Sequence, residues 1–196
     1  EKVFNIENAL IKVLRLKQMV DHPRLVGSQL PSRKLETLKD ILSPVIESDN
    51  KVIVFSQFAK MIDVLMFELG HYNPVRISGD MKAEDRNVSV KRFTEDPNIR
   101  LMLMTESGAY GLNLQAASYV IHYDLPWSIS KLVQREGRAH RIGQTKPVTV
   151  YNLIGQNTTD EYVARVILNK QKLSDEFLED VKVVTKEDIE AMLEDE

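Results

Sequence analysis

The sequence predicts an α/β fold in which a mainly parallel sheet is covered by helices on both faces. Short, continuously apolar runs rich in β-branched residues alternate with longer amphipathic segments through most of the chain. The predicted strands are residues 51–55, 74–77, 100–104, 118–123 and 147–154. Helical patterns at 59–70, 82–93 and 128–141 separate most of them. Strands that are apolar along their whole length must be buried on both faces, which is the arrangement of a parallel sheet between two helix layers.

Further helices are predicted on either side of this alternating region. Apolar residues at helical spacing predict a helix over 3–20, which ends before His22 and Pro23. A second helix is expected over 31–47, bent or shortened by Pro44. A last helix at about 159–178 follows the final strand.

Composition excludes several classes of binding site and indicates where in the cell the protein is expected. The 196 residues are 43% apolar and include no cysteine, so there is material for a substantial core but none for disulfides or cysteine-based zinc sites. The four histidines show no metal-ligand spacing, and no metal site is expected. The chain has no run of 18 apolar residues and no signal peptide at its start, so we expect an intracellular protein with no membrane partner.

The charge is unevenly distributed along the chain. Residues 174–196 contain ten acids and two lysines, a net charge of −8, whereas the whole chain carries −3. The remainder, residues 1–173, therefore carries +5. A local anion-binding face is compatible with the acidic total.

Three polar loops follow the predicted strands. They are SQF at 56–58, SGD at 78–80 and TESGAYGLN at 105–113. The carboxyl ends of parallel strands meet at one edge of a sheet, where ligands bind, and hydroxyl groups and glycine backbone are suited to phosphate contacts. Ordinary turn composition would explain any one loop. Three loops at one edge, together with the arginine-rich segment 134–144, favour a phosphate site.

These segments, taken in order, carry a family resemblance. SQF, ISGDM, TESGAYGLNLQAASYVIHYDLPW and QREGRAHRIGQTKPVTVYNLI resemble motifs IV to VI of the second RecA-like lobe of superfamily 2 helicase-fold ATPases. HRIGQ with the following strand resembles the SWI/SNF-type translocases of double-stranded DNA, and LRLKQMVDHPRL is similar to the segment that leads into their second lobe. The resemblance spans about 14–178. It implies a helical connector from a first lobe at 1–30, the RecA-like lobe at 31–156, and a brace helix with an acidic tail at 157–196.

The resemblance also implies that this chain holds half of an active site. In the family, ATP lies between two lobes, and the first lobe supplies the Mg²⁺ site and the general base. The phosphate loop and metal-binding box of that lobe do not occur in these residues. We therefore expect ATP with Mg²⁺ as cofactor, the N-terminal helicase lobe and double-stranded DNA as partners, and little activity from this chain alone.

Individual residues take roles from the matching motifs. Arg138 and Arg141 are expected to be arginine fingers, because a guanidinium fork stabilises the charge that develops on the γ-phosphate. Gly108, Gly111 and Gln134 are expected to contact the nucleotide. Arg135 points about 100° away from Gln134 on a helix, so it is expected in a salt bridge or on a solvated face.

The expected contacts with the DNA backbone come from the other loops. By motif position they are Ser56, Gln57, Gly79, Thr105 and Trp127. Hydroxyl and backbone N–H groups hold phosphate without reading base sequence, as a translocase requires. For Trp127, packing of the ring under the motif VI helix is the alternative.

Some positions depart from the family pattern. Glu106 stands where a basic residue usually faces DNA, and Gly137 stands where an aspartate is frequent. Ala109 replaces a common second glycine, and Ser128-Ile129 replaces the usual Asn-Pro after the tryptophan. These departures favour bacterial, archaeal or phage relatives, and hence the cytoplasm of a prokaryote or phage host in preference to the nucleus. The competing functions are a non-catalytic DNA- or protein-binding module and a strand-separating or RNA polymerase-recycling ATPase on the same fold. The sequence does not specify a protein cargo.

Overall fold

Five parallel strands form one sheet in the computed structural model, which describes residues 6–108, 112–140, 144 and 146–176. The strands are β1 (Val52–Ser56), β2 (Val75–Ile77), β3 (Leu101–Thr105), β4 (Tyr119–His122) and β5 (Thr149–Asn152). Their order across the sheet is β2-β3-β1-β4-β5, and every neighbouring pair is parallel. Each of the five apolar runs contains one strand, so the predicted fold class is confirmed.

Six α-helices surround the sheet within the described residues. They are α1 (Ile6–Asp21), α2 (Arg33–Glu47), α3 (Ala59–Glu68), α4 (Ala83–Glu95), α5 (Ile129–Glu136) and α6 (Thr159–Glu176). The helix predicted over 128–141 is shorter than expected and ends at Glu136. Gly137 follows it as the C-cap and donates its N–H to Val133 O at 2.8 Å. Glycine is a poor helix former, which explains the early end.

The alternation of side chains along the strands builds a core on each face of the sheet. In β1, Val52 and Val54 belong to the core on one face, and Ile53 and Phe55 belong to the core on the other. Helices α2 and α3 cover the first face with Leu38, Leu42, Met61, Ile62 and Leu65, all of which are buried. On the second face α4 contributes Phe93.

Buried charges join the flanking helices to each other. The Lys34 ammonium of α2 lies 2.8 Å from Asp21 Oδ1 at the end of α1 and 2.5 Å from Asp160 Oδ2 at the start of α6. Burial alone would lower the pKa of Lys34, but the charges of Asp21 and Asp160 outweigh it and raise that pKa. Lys34 is therefore a charged link between three helices. The domain boundaries at residues 30 and 156 stay predictions.

Replacing Lys34 by methionine should strongly destabilise the chain. The variant Lys34→Met leaves two buried carboxylates without their cation, which costs about 3–5 kcal/mol of unfolding free energy or prevents folding. Urea unfolding followed by circular dichroism measures the change. The control is Lys39→Met on the same helix, because Lys39 pairs with Glu68 at the surface and its loss should cost about 1 kcal/mol or less. Equal losses in the two variants would contradict a structural role for the buried cluster.

Candidate functional site

The loops after β2 and β3 pack tightly together at the carboxyl edge of the sheet. A Cβ at Gly108 would lie 2.8 Å from both the Cα and the N of Ser78, which are backbone atoms. A Cβ at Gly79 would lie 2.5 Å from Ser107 Oγ. Since real Cβ atoms do not come this close to other heavy atoms, glycine at these positions lets the two loops touch. At Gly108 the close approach is made by the backbone of Ser78 in the neighbouring loop.

Thr105 ends β3 and uses its hydroxyl within its own loop. Its side chain is buried, with Oγ1 3.2 Å from Ser107 Oγ and 3.4 Å from the N–H of Gly108, which donates to it. Ser107 is the exposed hydroxyl of this loop. Glu106 Oε2 lies 3.5 Å from the Lys131 ammonium on α5, so a cation partly offsets the repulsion of phosphate expected from that carboxylate.

The loop after β1 is held by Asp124, which follows β4. Ser56 is fully buried and donates its hydroxyl hydrogen to the Asp124 carboxylate. The Gln57 N–H donates to both carboxylate oxygens, at 3.0 and 3.1 Å, and Gln57 Nε2 donates to Leu125 O at 3.1 Å. In this arrangement the Ser56 hydroxyl faces Asp124 instead of solvent. Gln57 is half-buried and reaches the surface of the edge.

Arg135 is buried beneath this loop. Its side chain is 1% exposed, Nη1 donates to Asp124 O at 2.9 Å, and Nη2 lies 3.8 Å from Asp124 Oδ1. Its guanidinium lies 5.5 Å from the ring centroid of Phe55. Burial lowers the pKa of Arg135, and the charge of Asp124 opposes that shift. Of the two alternatives for Arg135, the salt bridge is observed and the solvated face is wrong, because the side chain turns inward from the last turn of α5. Sequence reasoning did not single out Asp124, and its only signal was a carboxylate directly after an apolar strand.

Arg138 lies at the turn that follows α5, against the segment that continues from the β3 loop. Its C=O accepts the N–H of Leu114 at 3.0 Å. Its Nε is buried and has no hydrogen-bond partner among the described residues. Gln134 is exposed on α5. Gly111 and Arg141 lie outside the described residues.

Gln144 joins the motif V and motif VI segments and was missed as a site residue. Its Nε2 donates to Gln115 O at 2.9 Å and to Ala117 O at 3.0 Å. A third acceptor is Ala139 O, at 3.3 Å. The last residue of HRIGQ therefore holds the chain before β4 against the turn that carries Arg138.

Trp127 packs against the C-terminal helix. The half-buried ring contacts the cluster formed by Leu125, Val163 and Ile167, and the Lys17 ammonium lies 5.5 Å from its centroid. The ring therefore packs on α6 and Leu125, whereas the packing alternative placed it under the motif VI helix. The DNA contact of Trp127 stays a prediction.

His122 is buried at the end of β4. Neither ring nitrogen has a hydrogen-bond partner among the described residues, and Nε2 lies 3.5 Å from Glu136 Oε1. Burial lowers the pKa of His122, and Glu136 opposes the shift. The ring is thus neutral in the fold near neutral pH.

Two general features concern metals and membranes. Among the described residues, no group of three or more His, Asp or Glu side chains is placed to hold a metal ion. In the same part of the chain, no helix has both the length and the apolar character needed to cross a bilayer.

Comparison with known families decides the assignment. Residues 33–143 match the family model for the helicase conserved C-terminal domain. The chain belongs to this family. It is 39% identical over 161 residues to a probable ATP-dependent helicase of Plasmodium falciparum, covering 81% of this chain and 8% of that protein. It is 33% identical over 182 residues to the chromodomain-helicase-DNA-binding protein 1-like of Danio rerio, covering 86% of this chain and 18% of that protein.

Solved structures agree with this assignment. The Sulfolobus solfataricus SWI2/SNF2 ATPase core in complex with double-stranded DNA superposes with a TM-score of 0.73 at 28% identity, over 87% of this chain and 38% of that one. The C-terminal part of the Fun30 ATPase domain gives 0.66 at 28% identity, over 79% of this chain and 53% of that one. The resemblance to the C-terminal, RecA-like lobe of a SWI/SNF-type helicase is confirmed.

The relatives correct one expectation and limit another. The relatives from Danio rerio, Drosophila melanogaster and Homo sapiens are eukaryotic proteins named as helicases, and that from Candida glabrata is named a chromatin-remodelling ATPase. The expected cytoplasm of a prokaryote or phage host is therefore wrong, and these relatives point to the nucleus. The chain spans less than a fifth of the length of the first curated relatives, at 8%, 18% and 7%.

The buried His122 should make the chain less stable in mild acid. Because the pKa of His122 is lowered in the fold, the unfolded chain binds a proton in mild acid that the folded chain does not, so the contribution of His122 to stability falls as pH falls. Asp21, whose pKa is raised to about 8 by burial, acts in the opposite direction, so the measurement compares each variant with the unchanged chain. The loss is at most about 1.4 kcal/mol per pH unit below pH 6.5. Urea unfolding from pH 7.5 to 5 measures it. His122→Asn should flatten this dependence, whereas the exposed His71→Asn should leave it in place.

Alanine at Gly108 should force the β2 and β3 loops apart. We expect Gly108→Ala to cost about 1–3 kcal/mol of unfolding free energy, because the new Cβ meets backbone atoms that cannot rotate away. Gly70→Ala is the matched control, since a Cβ there meets nothing within 4 Å. Thermal unfolding of the two variants compares them, and equal stability would show that the loops separate freely.

Proposed function

We propose that this lobe works with a first helicase lobe as an ATP-driven motor that moves along double-stranded DNA. Arg138 carries the proposal. Its Nε is a buried donor that has no partner among the described residues, at a turn where the N–H of Leu114 donates to the Arg138 carbonyl. An unpaired buried donor costs free energy. An anion that accepts a hydrogen bond from Arg138 Nε would remove this cost.

The residues at this edge fit a nucleotide phosphate. In the motor, Arg138 and Arg141 would face the terminal phosphate of ATP, with Gly108, Gly111 and Gln134 beside it. For Arg138 this role is supported by its buried Nε, which has no partner among the described residues. For Arg141 it is supported by the position of the residue in the motif. When bound, ATP with Mg²⁺ supplies the phosphoryl group and the metal charge, and the first lobe would hold the metal. The task of this lobe is to bring positive charge to the γ-phosphate as the lobes close.

The DNA contact is proposed for the same edge. Gln57 and Gly79 reach the surface there, and both present groups that hold backbone without reading bases. Thr105 and Trp127 would support the contact from within, since the first is buried and the second packs on α6. The Sulfolobus neighbour, described in complex with double-stranded DNA, supports this assignment.

The finger assignment can be tested in a protein that joins this lobe to a first helicase lobe. Arg138→Ala and Arg141→Ala should each lower DNA-stimulated ATP turnover by roughly a thousandfold. The control is Arg33→Ala, an exposed arginine at the start of α2. A coupled ATPase assay measures turnover, and the lobe alone should show none. Full turnover in Arg138→Ala would remove that residue from the mechanism.

The same protein separates the competing functions. A binding module would show DNA affinity without ATP turnover. A strand-separating enzyme would release a labelled strand from a duplex, whereas a translocase would displace a triplex-forming oligonucleotide and leave the duplex intact. The proposal predicts triplex displacement without strand release.

A further inference from the structure

We propose that Ser56 and Asp124 are positioning residues that set the orientation of α5 through Arg135, and that the Ser56 hydroxyl does not contact DNA. The inference rests on the proposed motor function, because it assigns the β1 loop a part in placing the arginine fingers.

The first step is the burial of Asp124. Its side chain is fully buried, so its charge must be paired within the chain. The Ser56 hydroxyl and the Gln57 N–H donate to the carboxylate from the β1 loop. The Ser56 hydroxyl is thus bonded inside the lobe, and Ser56 has no solvent-accessible surface. The β1 loop is therefore tied to the end of β4.

The second step leads from Asp124 to the finger region. Arg135 donates to Asp124 O and its guanidinium lies beside the same carboxylate and over Phe55 of β1. Helix α5 has only eight residues, so this one buried side chain in its last turn sets much of its orientation. The N–H of Arg138 donates to Arg135 O at 3.2 Å. A shift of Arg135 would therefore move the start of the turn that carries Arg138.

The third step concerns α1. Two neighbours of Asp124 contact this helix: the Tyr123 hydroxyl donates to Asp21 O at 2.7 Å, and Leu125 O accepts from Lys17 Nζ at 2.5 Å. Residues 123–125 thus contact the β1 loop, α5 and α1. A change in the β1 loop would therefore reach α5 through residues 123–125, which also contact α1.

The test is Ser56→Ala in the protein that contains both lobes. The variant keeps the side chain small but removes one hydrogen bond to a charged group, and we expect kcat of DNA-stimulated ATP hydrolysis to fall roughly tenfold. The KM for ATP, the Kd for a DNA duplex and the salt dependence of that Kd should each match those of the unchanged protein. The matched control is Ser43→Ala, which loses a hydroxyl bond to Glu47 on the surface of α2 and should leave kcat unchanged.

Other outcomes overturn the inference. A phosphate contact by Ser56 would instead weaken DNA binding while leaving the slope of log Kd against log salt nearly unchanged, because a hydroxyl neutralises no phosphate charge. An unchanged kcat would also overturn it. Arg135→Lys provides a second variant: it keeps the charge but not the planar fork, so kcat should fall again with DNA affinity retained.

A last measurement does not depend on the motor function. In this chain alone, amide hydrogen exchange of Ile129–Glu136 should be faster in Ser56→Ala than in Ser43→Ala, because α5 loses part of its anchor. If the unchanged two-lobe protein shows no DNA-stimulated turnover, the proposed function fails and this measurement still decides the inference. Equal exchange in the two variants would overturn the positioning role.

Discussion

The fully buried carboxylate of Asp124 is the constraint around which the site is arranged. An unpaired carboxylate at this depth would cost several kcal/mol, so the fold must bring donors and a cation to it. It does so from two directions: Ser56 and Gln57 approach from β1, and Arg135 approaches from α5. Satisfying one charge therefore fixes the relative positions of the loop after β1 and helix α5.

The same principle extends to the flanking helices. Lys17, Lys34 and Arg135 are buried basic residues, and Asp21, Asp124 and Asp160 are buried acidic residues, with burial raising the pKa of Asp21 to about 8. Their segments are far apart in the sequence, from α1 to the start of α6. Such a group adds less net stability than an apolar core would, but breaking it is costly. It therefore restricts how α1 and α6 can sit on the lobe.

The sequence predicted the sheet well because its signals were local. Continuous apolar runs required burial on both faces, and each run became a parallel strand. The resemblance likewise identified the lobe from four ordered motifs. The source was predicted wrongly because Glu106 and Gly137 were taken as marks of distant relatives, whereas single positions vary within a family without reporting its origin. Glu106 itself has a local partner in Lys131.

The inward contacts of the site could not be predicted, because helical spacing gives an angle but not the neighbour at that angle. The spacing separated Arg135 from Gln134, yet only the fold shows that Arg135 turns toward Asp124. Gln144 was read as part of a signature, and its three carbonyl acceptors lie on segments that no periodicity relates to it.

Arg135 and Arg138 are the arginines of motif VI that lie among the described residues, and their surroundings differ. Arg135 donates through Nη1 to Asp124 O and lies beside the Asp124 carboxylate, although its Nε and Nη2 have no hydrogen-bond partner among the described residues. In the part of the chain that the structure describes, Arg138 Nε is buried without a hydrogen-bond partner, so in the proposed motor a bond to an anion would stabilise it. A guanidinium already paired within the lobe would have to break that pair before it could stabilise a phosphate. In the proposed motor, the buried pair at Arg135 would hold the turn in place, and Arg138 would stabilise negative charge on a phosphate.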